Sequence, residues 1–182
     1  IVDDEVVSIE KTDTFKVVTS KNEYEGIAVL IATGQPRKKL KIKNLEKFEG
    51  NGVSYCTTCD GYFYKNLKVG VLGNKDYAIH EAVELEAYTS DITIFTNGKE
   101  LDVSQKYQNE LSRFRINEKI IEELSGADFL QRIAFNDGTS EEIDGIFIAD
   151  ESASSVDFAR KLGVMTEGNS IVTDKDQQTN LK

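Results

Sequence analysis

Tryptophan is absent, proline, methionine and histidine occur once each, and cysteine occurs twice in 182 residues. One proline and 13 glycines exclude collagen-like and Pro-rich low-complexity chains. Two cysteines are too few for a small fold stapled by several disulfides. With His80 as the sole histidine, they also fall short of the ligand set that a zinc or iron–sulfur centre normally draws from one chain, so no metal is expected. No apolar run approaches the length of a membrane span, and the first residues lack a leader's basic-then-apolar order. Positive charge is scarce as well: 22 Lys and Arg stand against 32 Asp and Glu, a net charge of −10, with no long basic run to follow a phosphate backbone. Membrane and nucleic acid are therefore not expected partners. A folded cytoplasmic protein is the reading that remains, since 39% hydrophobic residues suffice for a core.

What is present centres on Cys56-Thr57-Thr58-Cys59-Asp60-Gly61, followed by Tyr62-Phe63-Tyr64. Two residues between thiols allow one sulfur to attack a disulfide and the other to resolve the mixed disulfide, and a helix N-terminus behind the pair favours the thiolate. The same spacing serves as half of a metal site shared between subunits, or arises by chance. Asp60, beside two thiols, is placed to move a proton during exchange; its plain alternative is a helix-cap or turn carboxylate. Tyr62, Phe63 and Tyr64 read as packing residues, because no basic companions make them a stacking platform.

Along the chain, Ile1–Ile9, Thr14–Thr19 and Tyr24–Ile31 have strand composition, with a hairpin at residues 20–23 and a stop at Gly34 and Pro36. Residues 37–51 begin with five Lys or Arg in seven positions and read as a solvated linker or a local docking patch for an acidic protein. From Leu67 the pattern is that of a βαβ unit: strand 68–72, turn 73–76, helix 77–89 with Ala78, Ala82 and Leu85 inward, then strand 92–95. Residues 102–114 are a less periodic helix candidate. Strands are expected at 118–124, 129–136 and 143–149 as an inserted antiparallel meander, with a hairpin turn at Asn136-Asp137-Gly138-Thr139. A short helix at 156–162 and a strand or turn at 169–174 follow. The fold class is α/β: a Rossmann-like, three-layer domain of nucleotide-binding type with a central parallel sheet and an antiparallel meander, flanked by fragments of a second domain. Because Ile1 already lies in strand-like sequence, the chain reads as a piece of a longer protein.

A dinucleotide turn needs a glycine after the strand, a second glycine so that pyrophosphate reaches the helix N-terminus, and a small residue for close packing. Gly73 and Ala78 supply the first and third, but Lys75 replaces the second. An ammonium binds phosphate in other proteins, so this substitution alone excludes nothing. The next strand end, Thr96-Asn97-Gly98-Lys99-Glu100, offers neither an acid at the ribose position nor an arginine for a 2′-phosphate. The expectation is a nucleotide-type fold that does not bind NADPH.

The cysteine stretch and the βαβ unit together resemble bacterial thioredoxin reductases of the small, two-domain flavoprotein type. Cys56-Thr57-Thr58-Cys59-Asp60-Gly61 is the most specific match, Ala32-Thr33-Gly34 is similar to the segment beside FAD, and Val172-Thr173-Asp174 with Thr179 is similar to the approach to the second FAD motif. The resemblance implies residues 1–37 as the last strands of a partial FAD domain, 38–165 as the middle domain and 166–182 as the return. It implies FAD in the parent protein, near Thr33 and Gly34, held weakly or not at all by this piece. It further implies electron flow through Cys59 to Cys56 and on to thioredoxin, with Asp60 as acid–base, hinges near Arg37 and Met165, and a homodimeric parent whose fragment is monomeric. The departures at Lys75 and at residues 95–98 resemble the clostridial ferredoxin-dependent branch, in which reduced ferredoxin feeds FAD directly; ferredoxin rather than NADPH is then the implied donor. An NADPH-dependent reductase with an atypical turn and a noncatalytic scaffold are the alternatives.

Overall fold

The computed structural model describes residues 1–32, 40–150, 155–167 and 170–181. Two compact units result, Ile1–Lys38 with Ser152–Lys182, and Lys39–Glu151. Among the described residues no helix is long and apolar enough to cross a membrane. Thr33 and Gly34 lie outside the described residues, as does the start of the basic segment at 37–39.

The first unit holds an antiparallel sheet of β1 (Val6–Lys11), β2 (Phe15–Thr19) and β3 (Glu23–Gly26). The β2–β3 hairpin turns where Thr19 Oγ1 donates to Asn22 O and accepts Asn22 N–H, at 2.7 and 2.8 Å. Residues 27–31, expected to continue the third strand, do not pair.

The second unit is built on a five-stranded parallel sheet. In chain order its strands are β4 (Val53–Ser54), β5 (Val69–Leu72), β6 (Ile92–Phe95), β7 (Arg115–Asn117) and, after the meander, β11 (Gly145–Ile148); the spatial order is β4-β11-β5-β6-β7. Short helix α1 (Thr57–Asp60) follows β4, and α2 (Asp76–Leu85) crosses from β5 to β6. Strands β5, β6 and β11 are buried along their whole length, as continuous apolar runs covered on both faces should be. On α2, Ala78, Ala82 and Leu85 are wholly buried and the helix packs on β5 and β6. The meander β8 (Ile121–Ser125), β9 (Arg132–Phe135), β10 (Ser140–Glu142) forms the third layer. Ile121, Leu124, Ile133 and Phe135 of the meander share one core with Leu72, Phe95, Ile146 and Ile148 of the parallel sheet. Each such fully buried side chain contributes roughly 1.5–3 kcal/mol of transfer free energy. The remaining elements are α3 (Gln108–Leu111), and in the first unit α4 (Ser155–Lys161), β12 (Thr166–Glu167) and β13 (Ser170–Ile171); α4 packs on β1 and β13.

The expected α/β architecture is therefore present, with four local corrections. The strand expected at 143–149 is not the third meander strand but β11, which enters the parallel sheet between β4 and β5. The turn at 136–139 instead leads into β10, whose sequence Ser-Glu-Glu carries no apolar residue to announce a strand. The helix over 102–114 shrinks to a 3-10 turn and α3, because the chain must extend again at Arg115 to pair with β6. Residues 40–51 are not a solvated linker: Ile42, Leu45 and Phe48 are buried, and Lys43 pairs with the meander through Lys43 N–H to Glu122 O and Leu124 N–H to Lys43 O, at 2.9 and 3.0 Å.

Candidate active site

The site begins where β4 runs out. Ser54, buried, is followed by a turn in which its Oγ accepts the N–H of Cys56 at 3.1 Å. Cys56 then adopts extended backbone, φ −147° and ψ 103°, and becomes the N-cap of α1, its Sγ accepting the Cys59 N–H at 3.2 Å. One turn of helix brings the two Cα atoms to 5.3 Å, and the sulfurs are joined in a disulfide. Cys56 is 3% exposed, whereas Thr58 and Cys59 face outward. The thiol pair titrates only after reduction, so the electrostatics of the oxidised site belong to its neighbours.

Asp60 closes α1, its N–H donating to Cys56 O at 3.1 Å. The Ser54 hydroxyl donates to Asp60 Oδ2 at 2.6 Å, the length of a charge-assisted bond. The half-buried Tyr64, its ring edge-on to Phe147 at 5.1 Å, has its phenol pKa pushed up by burial and then by the negative charge of Asp60. Gly61 follows because a Cβ there would lie 2.6 Å from the Tyr88 ring. On the other side, the buried Glu81 of α2 accepts the Thr57 N–H at 3.4 Å, a long contact. Tyr62 and Phe63 are 71% and 73% exposed, so only Tyr64 of the expected aromatic packing trio packs inward.

Cys56, Cys59 and Asp60 thus sit together, while Gly73, Lys75 and Ala78 form a separate turn between β5 and α2. Gly73 has no room for a side chain: a Cβ would stand 2.3 Å from Ala149 O and 2.7 Å from the Ala78 Cβ. Lys75 is the N-cap of α2 and gives no side-chain cap, and Tyr77 is wholly buried. Asp76 instead accepts the Ser104 N–H at 2.7 Å, and Asn74 Nδ2 donates to Glu100 O at 2.7 Å, which pins the loop after β6 to this turn. Within that loop Asn97 Oδ1 accepts the Ile121 N–H at 2.7 Å, and Lys99 pairs with Asp150 at 2.5 Å. A lysine thus stands at the second-glycine position of this turn, and the cation of the following loop, Lys99, is paired with Asp150. His80 pairs with Glu84 one turn on, at 3.2 Å.

Two residues near the sulfurs were missed in the sequence. Ser54 carried a legible signal, a serine two positions before an N-cap, which is the spacing of a serine turn. Glu81 carried half of one: three residues after inward Ala78 it shares the buried face by spacing, and only its charged side chain argued for solvent.

The chain belongs to the family described as pyridine nucleotide-disulphide oxidoreductase, whose profile matches residues 1–182. Within that family it is thioredoxin-reductase-like. The thioredoxin reductase of Listeria innocua is 32% identical over 181 residues, covering 92% of this chain and 56% of that protein. The crystal structure of the atypical thioredoxin reductase TRi from Desulfovibrio vulgaris Hildenborough superposes with a TM-score of 0.92 at 37% identity, covering 99% of this chain and 62% of that one. The ferredoxin-flavin thioredoxin reductase of Clostridium acetobutylicum gives 0.59 at 26% identity. The expected placement in the clostridial ferredoxin-dependent branch is therefore corrected: the chain is more similar to the Desulfovibrio protein. The chain spans 56–62% of the length of the Listeria and Desulfovibrio proteins. Family membership implies an FAD-binding fold.

Proposed function

We propose that this chain is the dithiol-bearing part of a thioredoxin reductase. The observation that carries the reading is the Cys56–Cys59 disulfide at the start of α1, with Asp60 held beside it. FAD, when bound, supplies the pair of electrons that opens the disulfide. The Cys56 thiolate then attacks one sulfur of oxidised thioredoxin and a mixed disulfide forms. Cys59 attacks Cys56 Sγ, the protein disulfide returns, and thioredoxin leaves as a dithiol after its sulfur takes a proton. Asp60 carries the proton that Cys59 gives up on becoming a thiolate. Because Cys56 is buried in this conformation, the reading includes a rearrangement that uncovers it, with exposed Tyr62 and Phe63 offering thioredoxin an apolar rim. The test reduces the 182-residue chain with dithiothreitol, removes the reagent and adds oxidised thioredoxin. Thioredoxin dithiol should appear in step with the protein disulfide; thiols that stay on Cys56 and Cys59 would sink the proposal.

The donor has its own reading. The family description favours a pyridine nucleotide over ferredoxin, and the atypical turn bears on how well one binds. We infer weak binding at Gly73–Ala78, with a dissociation constant above about 1 mM for NADPH. Titration of the chain by calorimetry decides: saturation near 10 μM, on the order of −7 kcal/mol, would reverse this inference and leave the thiol reading standing.

A further inference from the structure

We infer that Ser54 is the positioning residue for Asp60, a role that rests on Asp60 as the proton carrier proposed above. A serine hydroxyl has one proton to give and lone pairs to receive. In Ser54 the proton goes to Asp60 Oδ2 at 2.6 Å, because the competing acceptor, Cys56 O, is farther away at 3.4 Å. A lone pair receives the Cys56 N–H at 3.1 Å. At 3% exposure the hydroxyl meets little competition from water. One side chain therefore ties the backbone of the first cysteine to the carboxylate that follows the second.

This link has a chemical consequence. The α1 helix is a single turn, and Asp60 is its last residue, where backbone order alone leaves a carboxylate free to rotate. Anchoring Oδ2 leaves Oδ1 as the oxygen that exchanges a proton. When Cys59 Sγ attacks the mixed disulfide, its S–H proton passes to Asp60, the Cys59–Cys56 bond forms and the Cys56–thioredoxin bond breaks. The electron pair leaves on the thioredoxin sulfur, which is then protonated from the same carboxyl group or from water. Ser54 touches none of the reacting sulfurs and affects the exchange through Asp60; its bond to the Cys56 N–H fixes only the local turn.

The experiment measures the rate at which the reduced 182-residue chain reduces oxidised thioredoxin, for wild type, Ser54→Ala, Ser54→Thr, Asp60→Asn and Ser54→Ala with Asp60→Asn. Ser54→Ala should slow exchange about tenfold, a loss of about 1.4 kcal/mol of transition-state stabilisation, and Ser54→Thr, which keeps the hydroxyl, should return to within about threefold of wild type. Once Asp60 is asparagine, removing the hydroxyl should cost no further rate, since its effect is exerted through the carboxylate. Losses that multiply in the double variant, or a Ser54→Thr variant as slow as Ser54→Ala, would overturn the inference. Wild-type rates in Ser54→Ala with a slow Asp60→Asn would overturn it while sparing the reading of Asp60; a fast Asp60→Asn would remove both. Should Ser54→Ala fail to fold, Ser54→Thr alone decides, with near-wild-type exchange in favour and a tenfold loss against.

Discussion

The ends of β4 and β5 follow one plan, a parallel strand that stops, turns and feeds a helix, yet they hold different contents. The first turn places a disulfide and an anchored carboxylate at the carboxyl end of the sheet, where ligands of open α/β sheets gather. The second keeps Gly73 and Ala78, which let strand and helix approach, and gives up the glycine that would let phosphate approach. The packing half and the binding half of a glycine-rich turn are thus separable.

The largest expected effect breaks the first turn. Cys56→Ser or Cys59→Ser should lower thioredoxin reduction by about a thousandfold or more, because exchange needs both an attacking and a resolving sulfur. Counting thioredoxin thiols after a fixed time checks this, and residual turnover above about one tenth of wild type would show that another route exists. At the second turn, Gly73→Ala should cost about 3 kcal/mol or more, since the clash is with the Ala149 carbonyl and a methyl on the facing helix rather than with a flexible side-chain tip. Urea unfolding measures it, with Lys75→Ala as the partner variant expected to lie within about 0.5 kcal/mol of wild type. Equal losses at 73 and 75 would erase the distinction between packing and binding positions.

A smaller effect tests what holds the sheet beneath both turns. Glu141 of β10 receives Lys68 at 3.0 Å, just before β5, and also contacts Arg115 of β7. Burial raises its pKa, but hydrogen bonds from Arg115 and then Lys68 lower it more, so the carboxyl group sits below its usual value. A depressed folded-state pKa means stability that is fully present above the unfolded carboxylate pKa of about 4.3 and is lost as pH falls through the folded value. Glu141→Gln should therefore cost about 1 kcal/mol at pH 7, discounted because both cations are partly exposed to solvent. The gap to wild type should narrow as pH drops below about 4; a gap that widens there would reverse the sign of the argument.

The sequence made the buried strands β5, β6 and β11 legible because covered parallel strands are written as unbroken apolar runs. It hid β10 and β7, whose pairing is set by neighbours and by ion pairs at Glu141 rather than by their own composition. At the site, Cys56, Cys59 and Asp60 announce themselves through residue type and spacing. Glu81 does not, because burial of a lone glutamate follows from where α1 lands on α2. The lysine-rich start of residues 37–51 masked Ile42, Leu45 and Phe48, which occupy every third position and point into the core. In this segment the three-residue spacing of apolar side chains, not the local charge, decides burial.

The finest prediction asks whether Lys75 alone separates the two turns. Lys75→Gly should change stability by only a few tenths of a kcal/mol, since glycine is tolerated at an N-cap and Lys75 makes no side-chain cap there. If the missing glycine were the sole obstacle, NADPH affinity would rise to the micromolar range. A gain of no more than about tenfold is expected instead, because the loop after β6 still commits Asn97 to Ile121 and Lys99 to Asp150, leaving the ribose end without a free cation among the described residues of that loop. Calorimetry on wild type and variant in the same buffer reads the difference. Binding that is measurable in wild type and lost in Lys75→Gly would mean the opposite: the ammonium itself holds the phosphate, and the second turn has exchanged one mode of anion binding for another.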